Sequence, residues 1–164
     1  NRHSPVWGFL LLVYSNDEES HMSYSFQNPS AEVIESYLKS AKTIAIVGLS
    51  HRKEAASYQV AHFLQAAGYR IIPVNPKLEG QELLGEHVYA YLKDIPFSID
   101  IVDVFRRSEF LPDVAYDFLE TDAKVFWSQI GLENEEAETI LRQANRQDIV
   151  MNRCTKIEYM RLFV

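Results

Sequence analysis

Apolar positions along the chain follow two alternating rhythms. In AEVIESYLKSA (31–41), Val33, Ile34, Tyr37 and Leu38 recur at helical spacing, with Asn28 or Ser30 placed to cap the helix. TIAIVGLS (43–50) is instead a continuous apolar run ending at Gly48, the pattern of a strand covered on both faces. SYQVAHFLQAAG (57–68) returns to the helical period, with Gly68 as its stop. RIIPVNP (70–76) predicts a second strand closed by prolines. Residues 77–97 are mixed, with a short strand near Val88 and a turn before Pro96. IDIVDVF (99–105) predicts a third strand and residues 108–122 a helix, with Pro112 tolerated in its first turn. KVFWSQIG (124–131) predicts a strand, and residues 134–147 a helix with acids in its first turn and Arg146 at its end. DIVMNR (148–153) predicts a last strand, before a short helix in TKIEYMRL.

Strands alternating with helices of this length imply βαβ crossovers and a covered sheet. The expectation is an α/β protein: a Rossmann-like three-layer fold with a mostly parallel sheet, formed by residues 22–164. The 164 residues are 47% hydrophobic and 24% charged, which suits one folded domain and excludes fibrous or disordered classes. Residues 1–21 stand apart from this pattern. Their apolar run VWGFLLLVY (6–14) is too short to span a bilayer, and no small-x-small cleavage site follows it. Ser20-His21-Met22 reads as a cloning junction or the end of a mis-started segment, with Met22 as the natural start.

Charge narrows the partners. A net charge of −7 argues against nucleic acid, which needs a broad basic surface. A lone Cys154 cannot form an internal disulfide, and with no membrane span expected this fits a cytoplasmic location. Yet Arg52, Lys53, Lys77, Arg106 and Arg107 all fall in loops that follow strands. In open parallel sheets the ligand crevice lies outside the carboxyl ends of the strands. Four predicted strands end there in Gly48 and Ser50, in Asn75, Pro76 and Lys77, in Phe105 and Arg106, and in Gln129 and Gly131. Such a cluster on an acidic chain suits a phosphate-bearing ligand. Gly48 allows close backbone approach, although a full G-x-G-x-x-G fingerprint is absent. Ser57 stands where a helix N-terminus would face a phosphate, or serves as a plain cap.

Asn75 occupies the place where NAD-binding folds carry the acid that holds the ribose diol. Its amide and the neighbouring Lys77 favour a phosphorylated ribose, so NADP or coenzyme A fits better than NAD. His51, His62 and His87 lack ligand spacing with Cys154, so no metal site is expected. Asp103 is expected to pair with a crevice arginine or a buried donor. No Ser, Cys or His pairing suggests a nucleophile and base, so no catalytic residue is assigned.

TIAIVGLS, the SYQV helix start, GYRIIPVNP, IDIVDVFRRSE, WSQIG followed by NEEA, and MNRCTKIE together resemble the stand-alone CoA-binding protein family. That family is similar in fold to the N-terminal domain of the succinyl-CoA synthetase alpha subunit. The resemblance runs from about Ala31 to Leu162. It implies coenzyme A, or an acyl-CoA, bound in the crevice. Gly48, Ser50 and Ser57, with Arg52 beside them, would form the phosphate loop. Asn75, Pro76 and Lys77 would flank the adenosine end, and Phe105, Arg106, Gln129 and Gly131 would line the rest. The synthetase's phosphorylated histidine lies in a second domain for which this chain has no room, so the resemblance implies binding without acyl-CoA formation. Asn152 replaces the Asp usual in the last motif. An NADP-linked redox protein or a protein-interaction module on a Rossmann shell are the alternative classes.

Overall fold

The computed structural model describes residues 23–164, so the expectation for residues 1–21 lies outside the described residues. The elements run α1 (Ala31–Ser40), β1 (Thr43–Val47), α2 (Ala56–Ala66), β2 (Arg70–Val74), β3 (Glu82–Leu83), β4 (Glu86–His87), β5 (Ile101–Val104), α3 (Leu111–Leu119), β6 (Val125–Ser128), α4 (Glu135–Gln143), β7 (Ile149–Val150) and α5 (Thr155–Phe163). Single 3₁₀ turns occupy Pro76–Leu78, Leu92–Asp94 and Ser108–Phe110.

Five strands form a wholly parallel sheet in the order β2-β1-β5-β6-β7, with β3 and β4 as a separate antiparallel hairpin. The chain leaves β1 to one side for β2, then returns to β1's other side for β5. This reversal places the topological switch point between β1 and β5, where open sheets of this order hold their ligands. One face packs against α3 and α4 through Val102, Val104, Phe118, Phe126 and Leu141. The other packs against α1, α2 and α5 through Ile44, Ile46, Leu64, Ile101 and Trp127. Continuous apolar strands are what such a doubly covered sheet requires. Phe118 and Phe126, both buried, meet edge-to-face at 5.5 Å. Burying each such ring contributes roughly 1.5–3 kcal/mol.

Element ends follow local chemistry. Ser30, not Asn28, caps α1, its Oγ accepting from the Val33 N–H at 3.3 Å. Asn28 instead exchanges two hydrogen bonds with the Met151 backbone, at 2.8 and 3.1 Å. Gly68, at φ +110°, ends α2 in a Schellman turn, with the Tyr69 N–H returning to the Leu64 carbonyl. The helix expected over 134–147 stops at Gln143, because Asn145 adopts φ +60° and the Arg146 N–H returns to the Leu141 carbonyl. Arg146 therefore leaves its own helix end. Its guanidinium donates to the Thr121 and Ala123 carbonyls and lies over the Phe118 ring at 4.5 Å. The helix expected from residue 108 opens as a 3₁₀ turn before α3. The last strand is cut to two residues before the chain turns at Asn152, φ +59°.

Candidate functional site

The site begins where β1 ends. Gly48 has φ +86°, and a β-carbon built on it would stand 2.7 Å from the Phe105 carbonyl oxygen. Only glycine lets the two central strand ends approach this closely. The Gly48 N–H donates to the Val74 carbonyl at 2.8 Å, and the Phe105 N–H to the Val47 carbonyl at 2.8 Å. Three strand ends are thus locked side by side.

Asn75 fixes the next part of the loop with both ends of its amide. Its Nδ2 donates to the Leu49 carbonyl at 3.1 Å, while Oδ1 accepts from the Lys77 N–H at 3.0 Å. Ser57 lies within the first turn of α2, where Ala55 is the cap residue. Its buried Oγ accepts from the Ser50 N–H at 3.0 Å. Ser50 Oγ in turn accepts from the Arg52 N–H at 3.1 Å. Ser57 therefore braces the loop and is not the helix cap.

A cavity of about 480 Å³ opens beside Gly48, within the size range of ligand pockets. Asn75, Pro76 and Lys77 line it from the end of β2 and Arg106 from the end of β5, with Phe110 and Tyr91 completing the lining. Arg106 stacks over the Phe110 ring at 4.5 Å. Neither Lys77 nor Arg106 forms an ion pair with a described carboxylate. Arg107 and Arg52 differ, being held by Glu109 at 3.4 Å and Glu54 at 3.1 Å.

Of the residues singled out in the sequence, Gly48, Asn75, Pro76, Lys77, Arg106 and Arg107 are brought together around this cavity. Phe105 contributes its backbone against Gly48. Ser50 and Arg52 lie in the adjoining loop and Ser57 in the first turn of α2, all outside the cavity lining. Gln129 and Gly131 lie further along the sheet edge. Gly131, at φ +84°, donates its N–H to Asn152 Oδ1 at 2.6 Å. Gln129 is buried, and its Nε2 donates to both carboxylate oxygens of Asp103, at 2.8 and 2.9 Å. Thr155 Oγ1 donates to the same carboxylate at 2.7 Å. Asp103 is thus paired with buried neutral donors and with no arginine among the described residues. Burial pushes its carboxyl up to about 7, against the pull of those two hydrogen-bond donors.

Tyr91, Phe110, Asp113 and Asp117 also line the cavity and were not singled out. Tyr91 belongs to the mixed stretch 77–97, which carries no periodicity. Asp113 and Asp117 are four apart on α3, a spacing that does place them on one helix face. Asp117 accepts from the Leu92 and Lys93 N–H groups at 2.7 and 3.2 Å, anchoring the segment that carries Tyr91. Burial raises its pKa despite those two donors. Among the described residues, no group of three or more His, Cys, Asp or Glu could hold a metal ion, and no helix is long and apolar enough to cross a membrane.

Comparison with known proteins agrees with this architecture. YneT of Bacillus subtilis (strain 168) is 50% identical over 133 residues, which span 81% of this chain and 96% of that protein. A Thermus thermophilus structure superposes with a TM-score of 0.79 at 36% identity, covering 82% of this chain and all of that one. A Pyrococcus horikoshii structure gives 0.78 at 34% identity, covering 86% of this chain and all of that one. The dinucleotide-forming acetyl-coenzyme A synthetase 1 of Ca. Korarchaeum cryptofilum shares the fold alone, with a TM-score of 0.54 at 23% identity over 67% of this chain and 25% of the synthetase. The family model described as a CoA binding domain matches residues 42–160, from the start of β1 to the last turns of α5, and the chain belongs to that family.

Proposed function

We propose that the chain binds coenzyme A, or an acyl-CoA, in the crevice at the carboxyl ends of its parallel strands, without transforming it. The observation that carries this reading is the close approach of Gly48 to Phe105 at the switch point, opening on a cavity with two cations that have no acidic partner among the described residues. Lys77, following β2, and Arg106, following β5, flank Gly48 in the cavity lining as a pair of phosphate donors. Membership of the CoA binding domain family supports the choice of ligand. Support for binding without turnover comes from the hydroxyls at the strand ends. Ser128 Oγ donates its proton to the Leu132 carbonyl at 2.6 Å, and Ser50 Oγ, which accepts from the Arg52 N–H, makes no hydrogen bond to a described histidine.

Titration calorimetry with CoA, dephospho-CoA, NADP and NAD tests the reading. CoA is expected to bind tightest and NAD weakest. Equal affinity for CoA and NAD overturns the proposal, and preference for NADP replaces it with the redox alternative.

A further inference from the structure

The strand-edge network beyond the cavity has an unused end. Gln129 directly follows β6, and its Nε2 is committed to both oxygens of Asp103 and to Thr155 Oγ1, 3.1 Å away. An ionised carboxylate accepts and never donates, so the amide nitrogen must face Asp103. The amide oxygen is thereby turned the other way. Gln129 Oε1 accepts from no described group, yet no buried side-chain oxygen or nitrogen there lacks a partner. It therefore keeps contact with solvent, although its residue is only 6% exposed.

We propose that Gln129 Oε1, held outward by Asp103, is an acceptor for an N–H or S–H donor on the pantetheine arm of the ligand. This rests on the coenzyme A reading above. With the nucleotide end in the cavity on the Asn75 and Lys77 side of Gly48, the arm continues along the sheet edge toward β6. Two strand spacings separate β1 from β6, about 10 Å, well within the reach of an extended arm. Asp103 acts here as a positioning residue. When it takes up a proton, its carboxyl donates to the amide oxygen, and the amide turns its nitrogen toward the ligand.

Among the described residues, no charged side chain pairs with Asp103. At its register positions β1 offers Ile46 and β6 offers Trp127. Thr155 comes from α5, whose other titratable groups include Cys154 at its cap, Lys156 and Glu158. Glu158 is engaged by Arg153 at 3.8 Å and Arg161 at 3.4 Å. On α2, Tyr58 and His62 stack on each other. Burial brings the Asp103 carboxyl up to about 7, so the rotation falls within an accessible pH range.

The test compares CoA with adenosine 3′-phosphate 5′-diphosphate, which has the same nucleotide end and no arm. In Gln129→Met, CoA affinity at pH 8 is expected to fall about three- to tenfold, the value of one hydrogen bond, with the nucleotide unchanged. Equal losses for both ligands, or no loss for CoA, overturn the inference. The wild-type protein supplies a second measurement that does not depend on the variant folding. Its affinity ratio of CoA to the β-methyl ester of that nucleotide, whose diphosphate like that of CoA has no secondary ionisation, should fall between pH 8 and pH 6, the titration of the 3′-phosphate cancelling between the two ligands. A constant ratio overturns the inference while leaving CoA binding intact. Binding of neither ligand by the wild-type protein overturns the functional reading itself, and this inference with it.

Discussion

A β-carbon on Gly48 would lie 2.7 Å from the Phe105 carbonyl oxygen and 3.2 Å from Arg106 Cγ. The nearest obstacle is backbone, which cannot swing aside as a side-chain tip can. Gly48→Ala must therefore part β1 from β5 or strain a residue at φ +86°. The expected loss is about 2–4 kcal/mol, combining left-handed strain with overpacking. Urea unfolding measures it, and a loss below about 0.5 kcal/mol, the scale of a neutral surface change, would show that the strand ends are not held in contact.

Asp103 sets a stability profile of unusual sign. Its carboxyl is raised by burial to about 7 in the folded state, above the ordinary carboxylate range. Between pH 4 and 7 the folded protein then keeps a proton that the unfolded chain releases. The stability tied to this group is fully present below the unfolded pKa and is lost as pH rises through the folded value. The slope reaches about 1.4 kcal/mol per pH unit. Asp103→Asn, which cannot ionise, should remove this slope, as read from urea midpoints at pH 5, 6, 7 and 8.

Asp100 works the other way. It accepts from the Lys42 and Thr43 N–H groups at 2.8 and 3.1 Å and pairs with Lys124 at 3.4 Å. Burial pushes its pKa up, but these partners together outweigh burial and hold it below its ordinary value. Its contribution is present above the unfolded pKa and lost as pH falls through the depressed one. Asp100→Ala should cost about 1–2 kcal/mol at pH 7, by freeing two strand-edge N–H groups, and less at pH 3. Thermal melts at the two pH values compare them.

Lys77→Ala and Arg106→Ala should each weaken CoA by about 1–3 kcal/mol, the range for a charge-assisted contact. The residue that reads the 3′-phosphate should lose less affinity for dephospho-CoA than for CoA. Calorimetry with both ligands identifies it, and two unaffected variants would remove the cations from the site.

Acetyl-CoA and succinyl-CoA should release thiol at the background rate. Steady release that disappears in His51→Ala would make the protein a hydrolase.

Every element long enough to show a period was legible in the sequence, because continuous apolar strands and capped helices carry their own signal. Their junctions were less so. Asn145 and Asn152 end elements early through left-handed backbone that asparagine tolerates but does not announce. The part of the cavity lining built from strand ends, Gly48, Lys77 and Arg106, follows from the strand-end rule. Tyr91 does not, since it is placed through its neighbour Leu92, whose N–H Asp117 holds across 25 positions in the chain. Gln129 was legible as a strand-end residue, whereas its attachment to Asp103 depends on the register between β5 and β6.

Asn75 constrains what this crevice could become. Its Nδ2 donates to the Leu49 carbonyl while its Oδ1 accepts from Lys77 N–H. Aspartate keeps the second bond and forfeits the first, and its charge would repel the Leu49 oxygen. A single substitution aimed at creating an acid for a ribose diol would therefore collapse the loop it was meant to equip. Re-engineering the protein toward NAD would have to begin by supplying Leu49 with another donor, and only then exchange the amide.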